Sequence, residues 1–129
     1  MPHHSTMSRI HLELARTPEF PEGSARHGYD LVAPLTPEGH VDTEAWSSNR
    51  EACTITRFWD DSPEEHGHLL HVRGGWCFDY GDGDEDDDEM LFKLDRHVFS
   101  PGAYVTITER DRKQYPFRVM TVTPMVSRD

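Results

Sequence analysis

Three histidines close together in the segment HGHLLHVRGG are the first candidates for chemistry. They are His66, His68 and His71, and neutral imidazole is a common ligand of transition metals. Residues two apart on a β-strand point to the same face, so we expect His66 and His68 to lie side by side and His71 to point away. His97, on a later predicted strand, could complete the set if the two strands are neighbours. The histidines therefore predict a candidate metal site at His66, His68 and His97.

The pair His66 and His68 resembles the HxH motif that begins the metal site of cupins, a family of β-barrel proteins. Cupins carry a glutamate a few residues later, whereas residues 69–75 contain no carboxylate. The resemblance implies a divalent transition metal as a cofactor, which we keep as the alternative. The competing interpretation is a group of exposed histidines near a hairpin, with no cofactor.

The second feature is the segment DGDEDDDE, which has seven acidic residues in eight positions. Carboxylates this close together repel one another, so the segment must project into water or meet a cation. We expect residues 81–89 to form a solvated acidic loop between two strands. A basic protein partner is the cation that we favour, with these residues as the binding site: Asp82, Asp84, Glu85, Asp86, Asp87, Asp88 and Glu89.

The acidic segment does not match an EF-hand loop. A loop that starts at Asp82 needs glycine at its sixth position and glutamate at its twelfth, where this sequence has Asp87 and Lys93. A looser oxygen-ligand site for Ca²⁺ or Mg²⁺ stays an alternative, because a divalent cation would relieve the repulsion.

Nucleophilic chemistry has no sequence signature here. No GxSxG motif and no glycine-rich phosphate loop occurs. The order of residues leaves a catalytic triad open, because its members meet in space rather than in sequence. Cys53 and Cys77 lie in strand-like segments, so we expect both to be reduced and buried in the core.

The charge balance excludes two classes of partner. The 129 residues carry a formal net charge of -11, so phosphate groups would be repelled. We therefore expect neither a nucleic-acid partner nor a membrane partner. No apolar stretch is as long as a membrane span or the core of a signal peptide, which predicts a cytoplasmic protein. Hydrophobic residues make up 35% of the chain, which suits a folded domain.

Alternating apolar residues predict an all-β fold of seven or eight short strands. The segment RIHLEL alternates from Ile10 to Leu14, and YPFRVMTVTP places Phe117, Val119 and Thr121 on one face of the last strand. Turn residues recur every eight to twelve positions, which is typical of a β-sandwich or a small barrel, and we slightly prefer the barrel.

One short helix is predicted near residues 42–50, with Asp42 as its N-cap. Residues 1–8 lack a hydrophobic period and are predicted to be a disordered lead-in. Residues 9–126 are predicted to form a single β domain that includes the acidic loop at 81–89.

Two segments, LELARTPEFPEGSARHGYDLVAPL and HVFSPGAYVTITERDRKQYPFRVMTVTP, resemble short uncharacterised bacterial proteins. The resemblance covers most of residues 9–124, and its motifs are a Pro-Gly turn and a terminal pair of strands. It implies a single-domain bacterial cytosolic protein and implies no activity.

Two functions follow as hypotheses. The first is a non-enzymatic binding or accessory module whose acidic loop contacts a basic protein partner. The alternative is a metal-dependent, cupin-like β-barrel enzyme that uses His66, His68 and His97. Whether the protein is an enzyme at all is left open by the sequence.

Overall fold

Eight antiparallel strands form a closed barrel in which each strand pairs with the next along the chain and β8 pairs with β1. The computed structural model describes residues 5–72, 75–79, 89–91, 98–108 and 113–125. Of the two predicted β architectures, the chain forms the barrel, so the all-β prediction is confirmed. The strands are β1 (Thr6–Leu14), β2 (Ser24–Leu35), β3 (Thr54–Trp59), β4 (Ser62–Val72), β5 (Gly75–Asp79), β6 (Glu89–Leu91), β7 (Tyr104–Thr108) and β8 (Gln114–Pro124).

The inward face of the strands fills the barrel with side chains. Alternation along each strand sends every second residue inward, as the sequence pattern requires. Each large apolar side chain that is fully buried contributes roughly 1.5–3 kcal/mol to stability, so this packed interior holds the barrel together. The largest of these side chains are Trp76, Tyr29, Phe78, Phe117, Ile10, Leu12, Leu31, Ile55, Leu69 and Ile107.

The connection between β2 and β3 forms a short helix, α1 (Thr43–Ser48), followed by a 3₁₀ turn at Arg50–Ala52. The Asp42 carboxylate accepts a hydrogen bond from the Ala45 N–H at 3.1 Å, so the helix begins where its predicted cap stands. Trp46 on α1 is buried, and its indole N–H donates to the Leu69 carbonyl at 2.9 Å. The helix therefore covers one end of the barrel. No helix in the part of the chain that the structure describes has the length and apolar character needed to cross a membrane.

The up-and-down order of the strands places alternate connections at opposite ends of the barrel. We call the end with the β1–β2, β3–β4, β5–β6 and β7–β8 connections the hairpin end. The opposite end carries α1 and the β2–β3, β4–β5 and β6–β7 connections, and we call it the helix end. The strand order thus determines at which end of the barrel each connection attaches.

The first strand starts earlier than the sequence pattern predicts. β1 begins at Thr6, inside the predicted lead-in at 1–8, because Thr6, Met7 and Ser8 pair with the end of β2. These three residues show no apolar alternation, because the inward-facing Ser8 is polar, whereas backbone pairing does not depend on side-chain type. Residues 1–4 lie outside the described residues.

The last strand contains an irregularity that reverses its faces. β1 and β8 shift register by one residue between the pairs Leu12–Val119 and His11–Thr121. Past this bulge Val122 packs against the core, whereas Thr121 is exposed. The prediction that Thr121 shares a face with Phe117 and Val119 is therefore wrong, because one extra residue on a strand moves everything beyond it to the other face.

Candidate functional site

His66 and His68 lie on the outer face of β4, and both side chains are exposed. They stand opposite Thr56 and Thr54 of β3, and the Nδ1 atom of His66 is 3.2 Å from the Thr56 hydroxyl oxygen. The third proposed ligand, His97, lies outside the described residues. Among the residues that are described, no three His, Cys, Asp or Glu side chains are grouped to hold a metal. The metal site stays a prediction, and its two described ligands face solvent rather than the barrel interior.

His71 has a structural setting at the helix end. Its ring stacks on Trp76 with a centroid separation of 4.2 Å and an interplanar angle of 14°. Trp46 meets the rings of both His71 and Trp76 edge-on. The three rings therefore act as packing between α1 and the barrel, and His71 is directed away from His66 and His68 as predicted.

The predicted partner-binding residues connect β5 to β6. These two strands pair in antiparallel fashion, with Phe78 opposite Glu89. Asp82, Asp84, Glu85, Asp86, Asp87 and Asp88 lie outside the described residues, and of Glu89 the structure describes the backbone at the start of β6.

The two ends of the barrel differ strongly in charge. By sequence, the connections that follow β1, β3, β5 and β7 contain two acidic residues in 15–23, two in 60–61, six in 80–88 and two in 109–113. The same connections contain four basic residues, so their net charge is about -8. The three connections at the helix end contain five acidic and four basic residues. Most of the net negative charge of the chain therefore belongs, by sequence, to the connections that follow β1, β3, β5 and β7.

A polar cluster lies on the outer face of β1, and the sequence did not predict it. His11 lies between two carboxylates, with Nδ1 at 2.8 Å from Asp30 and Nε2 at 2.9 Å from Glu13. Its ring stacks on Phe58 at a centroid separation of 5.5 Å. The alternation in RIHLEL indicates that His11 and Glu13 share a face, but only the pairing of β1 with β2 brings Asp30 opposite.

The two carboxylates favour a protonated His11. Burial of the ring by itself lowers the pKa, but hydrogen bonds to Asp30 and Glu13 and attraction to both charges raise the His11 pKa above its usual 6.5. With a carboxylate oxygen beside each ring nitrogen, both nitrogens can donate when the ring is an imidazolium. The cluster thus links three charges across β1 and β2.

We predict that the His11 cluster makes stability pH-dependent. A pKa that is raised on folding contributes stability below pH 6.5, and this contribution is lost as the pH rises through the higher folded value. Replacing His11→Gln should cost about 0.2–1 kcal/mol at pH 6, the range of exposed ion pairs, and less at pH 9. Urea unfolding of both proteins at the two pH values measures the difference.

Asp30→Asn provides the control, since it removes one of the two carboxylates that hold the proton. This variant should show a smaller pH dependence than the parent. An equal cost of His11→Gln at pH 6 and at pH 9 would contradict the assignment.

The two cysteines are core residues. Cys53 and Cys77 are buried free thiols, and burial raises the pKa of Cys53 to about 11. A thiol with such a pKa holds almost no thiolate at neutral pH, so Cys53 is not a nucleophile. Cys77 lies in β5, and Cys53 lies directly before β3, so both are buried as expected.

Comparisons of the chain with protein-family models, with curated proteins and with solved structures found no match. The resemblance to short bacterial proteins and to the cupin motif stays an expectation from the sequence. Functional proposals for this barrel therefore rest on its own geometry and charge.

Proposed function

We propose that the protein is a binding module that recognises a basic protein partner through its hairpin end. The observation that carries this proposal is the charge difference between the two ends of the barrel. The segment 80–88 contributes six of the acidic residues, and Asp60 and Asp61 add two at the neighbouring β3–β4 turn. The interior of the barrel is occupied by buried side chains, so the outer surface and the ends remain for binding.

Clustered carboxylates attract a positively charged partner before the two proteins touch. At about 0.15 M salt the Debye length is about 8 Å, so carboxylates within a few residues of one another add their fields at the surface. Such a field accelerates the association of an oppositely charged partner and rejects partners of the same sign. A partner with a basic surface would thus associate faster with the hairpin end, and the field would orient that surface towards it.

We predict that association depends on salt and on the location of the charge. Partners captured from a bacterial lysate would be identified by mass spectrometry, purified, and mixed with the protein in stopped-flow measurements. The association rate should fall by about tenfold or more between about 0.05 M and about 0.5 M salt. The variant Asp84→Asn with Asp86→Asn should slow association at low salt, because it removes two charges from the hairpin end.

The matched control places the same charge change at the helix end. Glu38→Gln with Glu51→Gln also removes two negative charges, from exposed residues of the β2–β3 connection. This control should associate at the parental rate. Equal slowing by both double variants, or a rate that ignores salt, would reject the hairpin end as the binding surface.

A metal-dependent enzyme is the second candidate, favoured by the exposed pair His66 and His68 on one face of β4. Two imidazoles on adjacent outward positions are a plausible start of a transition-metal site, with His97 as the third ligand. Elemental analysis of protein lacking His3 and His4, together with thermal shift on adding Zn²⁺, Ni²⁺ or Mn²⁺, tests it. A bound metal should raise the melting temperature by linkage, and His66→Ala with His68→Ala should abolish the shift.

A further inference from the structure

A groove of about 480 Å³ runs along the outside of the barrel near the hairpin end. One wall is formed by Arg16 of the β1–β2 connection and by Ser24 at the start of β2. The other wall is the outer face of β7 and β8, with Tyr104 and Arg118 side by side in the sheet. Tyr104 is 61% exposed, so an aromatic ring stands open to solvent beside two arginines.

Ser24 in this groove is hydrogen-bonded to a buried histidine. Its hydroxyl oxygen lies 2.7 Å from Nδ1 of His27, and the same oxygen accepts a hydrogen bond from the Arg26 N–H at 3.2 Å. In the tautomer that carries its proton on Nε2, Nδ1 of a neutral His27 accepts the hydrogen of the Ser24 hydroxyl. The irregular pairing of β1 with β2 allows this contact, since Leu14 pairs with Ser24 while Glu13 pairs with Gly28.

His27 has the surroundings of a base. The side chain is 7% exposed and lies between Phe20, at 4.8 Å, and Trp59, at 4.5 Å between ring centroids. Burial lowers the pKa of His27 below 6.5, with Arg57 and Arg26 acting in the same direction and Asp60 opposing them. The lowered pKa favours the neutral imidazole, which is the form that can accept a proton.

We propose that Ser24 is a nucleophile activated by His27 and that the groove binds carboxylic esters that carry a negative charge. A serine hydroxyl, a neutral imidazole within hydrogen-bond distance and an adjoining groove are the elements of nucleophilic acyl transfer. This activity is independent of the basic partner proposed for the hairpin end.

The reaction proceeds in two steps, acylation of Ser24 and hydrolysis of the acyl group. The Ser24 oxygen attacks the ester carbonyl carbon while its proton moves to Nδ1 of His27, and the bond from carbon to the alcohol oxygen then breaks. The departing alkoxide takes the proton from His27, which leaves an acyl group on Ser24. Water attacks this acyl group, gives a proton to His27 and forms the acid, and Ser24 recovers the proton.

The arginines determine the preferred substrate. Arg16 and Arg118 line the groove together with Glu13, which is bonded to His11, and Glu22. Guanidinium groups pair well with carboxylates. An ester with a carboxylate on its acyl part would be held by these donors while its carbonyl meets Ser24. A neutral ester lacks this contact and should react more slowly.

The test begins with a fluorophosphonate probe, which bonds covalently to activated serines. We expect labelling at Ser24, located by peptide mass spectrometry, and its loss in Ser24→Ala. Replacing His27→Gln should slow labelling by about 100-fold or more, the usual contribution of a general base. Ser48→Ala, which changes an exposed serine of α1 at the helix end, should label at the parental rate.

Ester hydrolysis supplies the second measurement. The parent should hydrolyse mono-p-nitrophenyl glutarate faster than p-nitrophenyl acetate, and Arg118→Gln should slow the charged substrate alone. Circular dichroism establishes that each variant is folded. If His27→Gln fails to fold, Ser24→Ala and the substrate comparison still decide. A folded parent that is not labelled at Ser24, or is labelled as fast without His27, would overturn the proposal.

Discussion

Replacing Gly28→Ala is expected to remove most of the stability of the barrel. Gly28 stands on β2 between β1 and β3, and an added Cβ would overlap the carbonyl oxygen of Leu12 and lie 2.8 Å from Cζ of Phe58. The Phe58 side chain can rotate away. The Leu12 carbonyl cannot move away, because β1 is hydrogen-bonded to β2 on one side and to β8 on the other. We expect a loss of about 4 kcal/mol or more in the free energy of unfolding, measured in urea.

Gly102→Ala separates this steric cost from backbone strain. Gly102 has a φ of +94°, and nothing lies within 4 Å of an added Cβ. Alanine at this position therefore costs only the free energy of holding a residue with a Cβ at a positive φ. We expect a loss of about 1–3 kcal/mol. If the two variants were equally stable, the close approach of β1 to β2 at Gly28 would be refuted.

Replacing Trp76→Ala is also expected to lower the free energy of unfolding strongly. Trp76 is fully buried, stacks on His71 and meets Trp46 edge-on at 5.3 Å between ring centroids. Its removal leaves a cavity where α1 covers the helix end, and surrounding groups relax only in part. We expect a loss of about 3–5 kcal/mol in the free energy of unfolding.

Tyr104→Ala is the matched control, because it truncates an aromatic side chain on a strand of the same barrel. Tyr104 is 61% exposed, so its replacement should change the free energy of unfolding by about 0.5 kcal/mol or less. Thermal and urea unfolding of both variants give the comparison. A Trp76→Ala cost no larger than that of Tyr104→Ala would show that the stacked rings do not hold the helix end.

Local sequence predicted the elements of this fold. Alternation identified the inward residues of β1 from Ile10 to Leu14, and Asp42 marked the start of α1. Both signals act over a few residues, because side-chain direction in a strand and capping of a helix depend on near neighbours. The same reasoning placed His66 and His68 together on one face of β4.

The candidate sites were less predictable because they depend on how β1 and β2 pair. His11 and Asp30 meet through the register of the two strands, whereas Ser24 and His27 lie three residues apart on β2, where the pairing with β1 is irregular. Nothing in the local pattern of either strand contains that information.

The sequence by itself determined which residues point inward, where the chain turns and that the negative charge is concentrated in one segment. Only the tertiary structure decided that β5 and β6, which this segment connects in the sequence, pair in the same barrel as β3 and β4, since that depends on the order of the strands. It also decided which face of β8 is buried beyond Val119. The physical reason is that register and strand order are selected by the fit of whole faces across the barrel, and hydrogen bonds between strands are available in many registers.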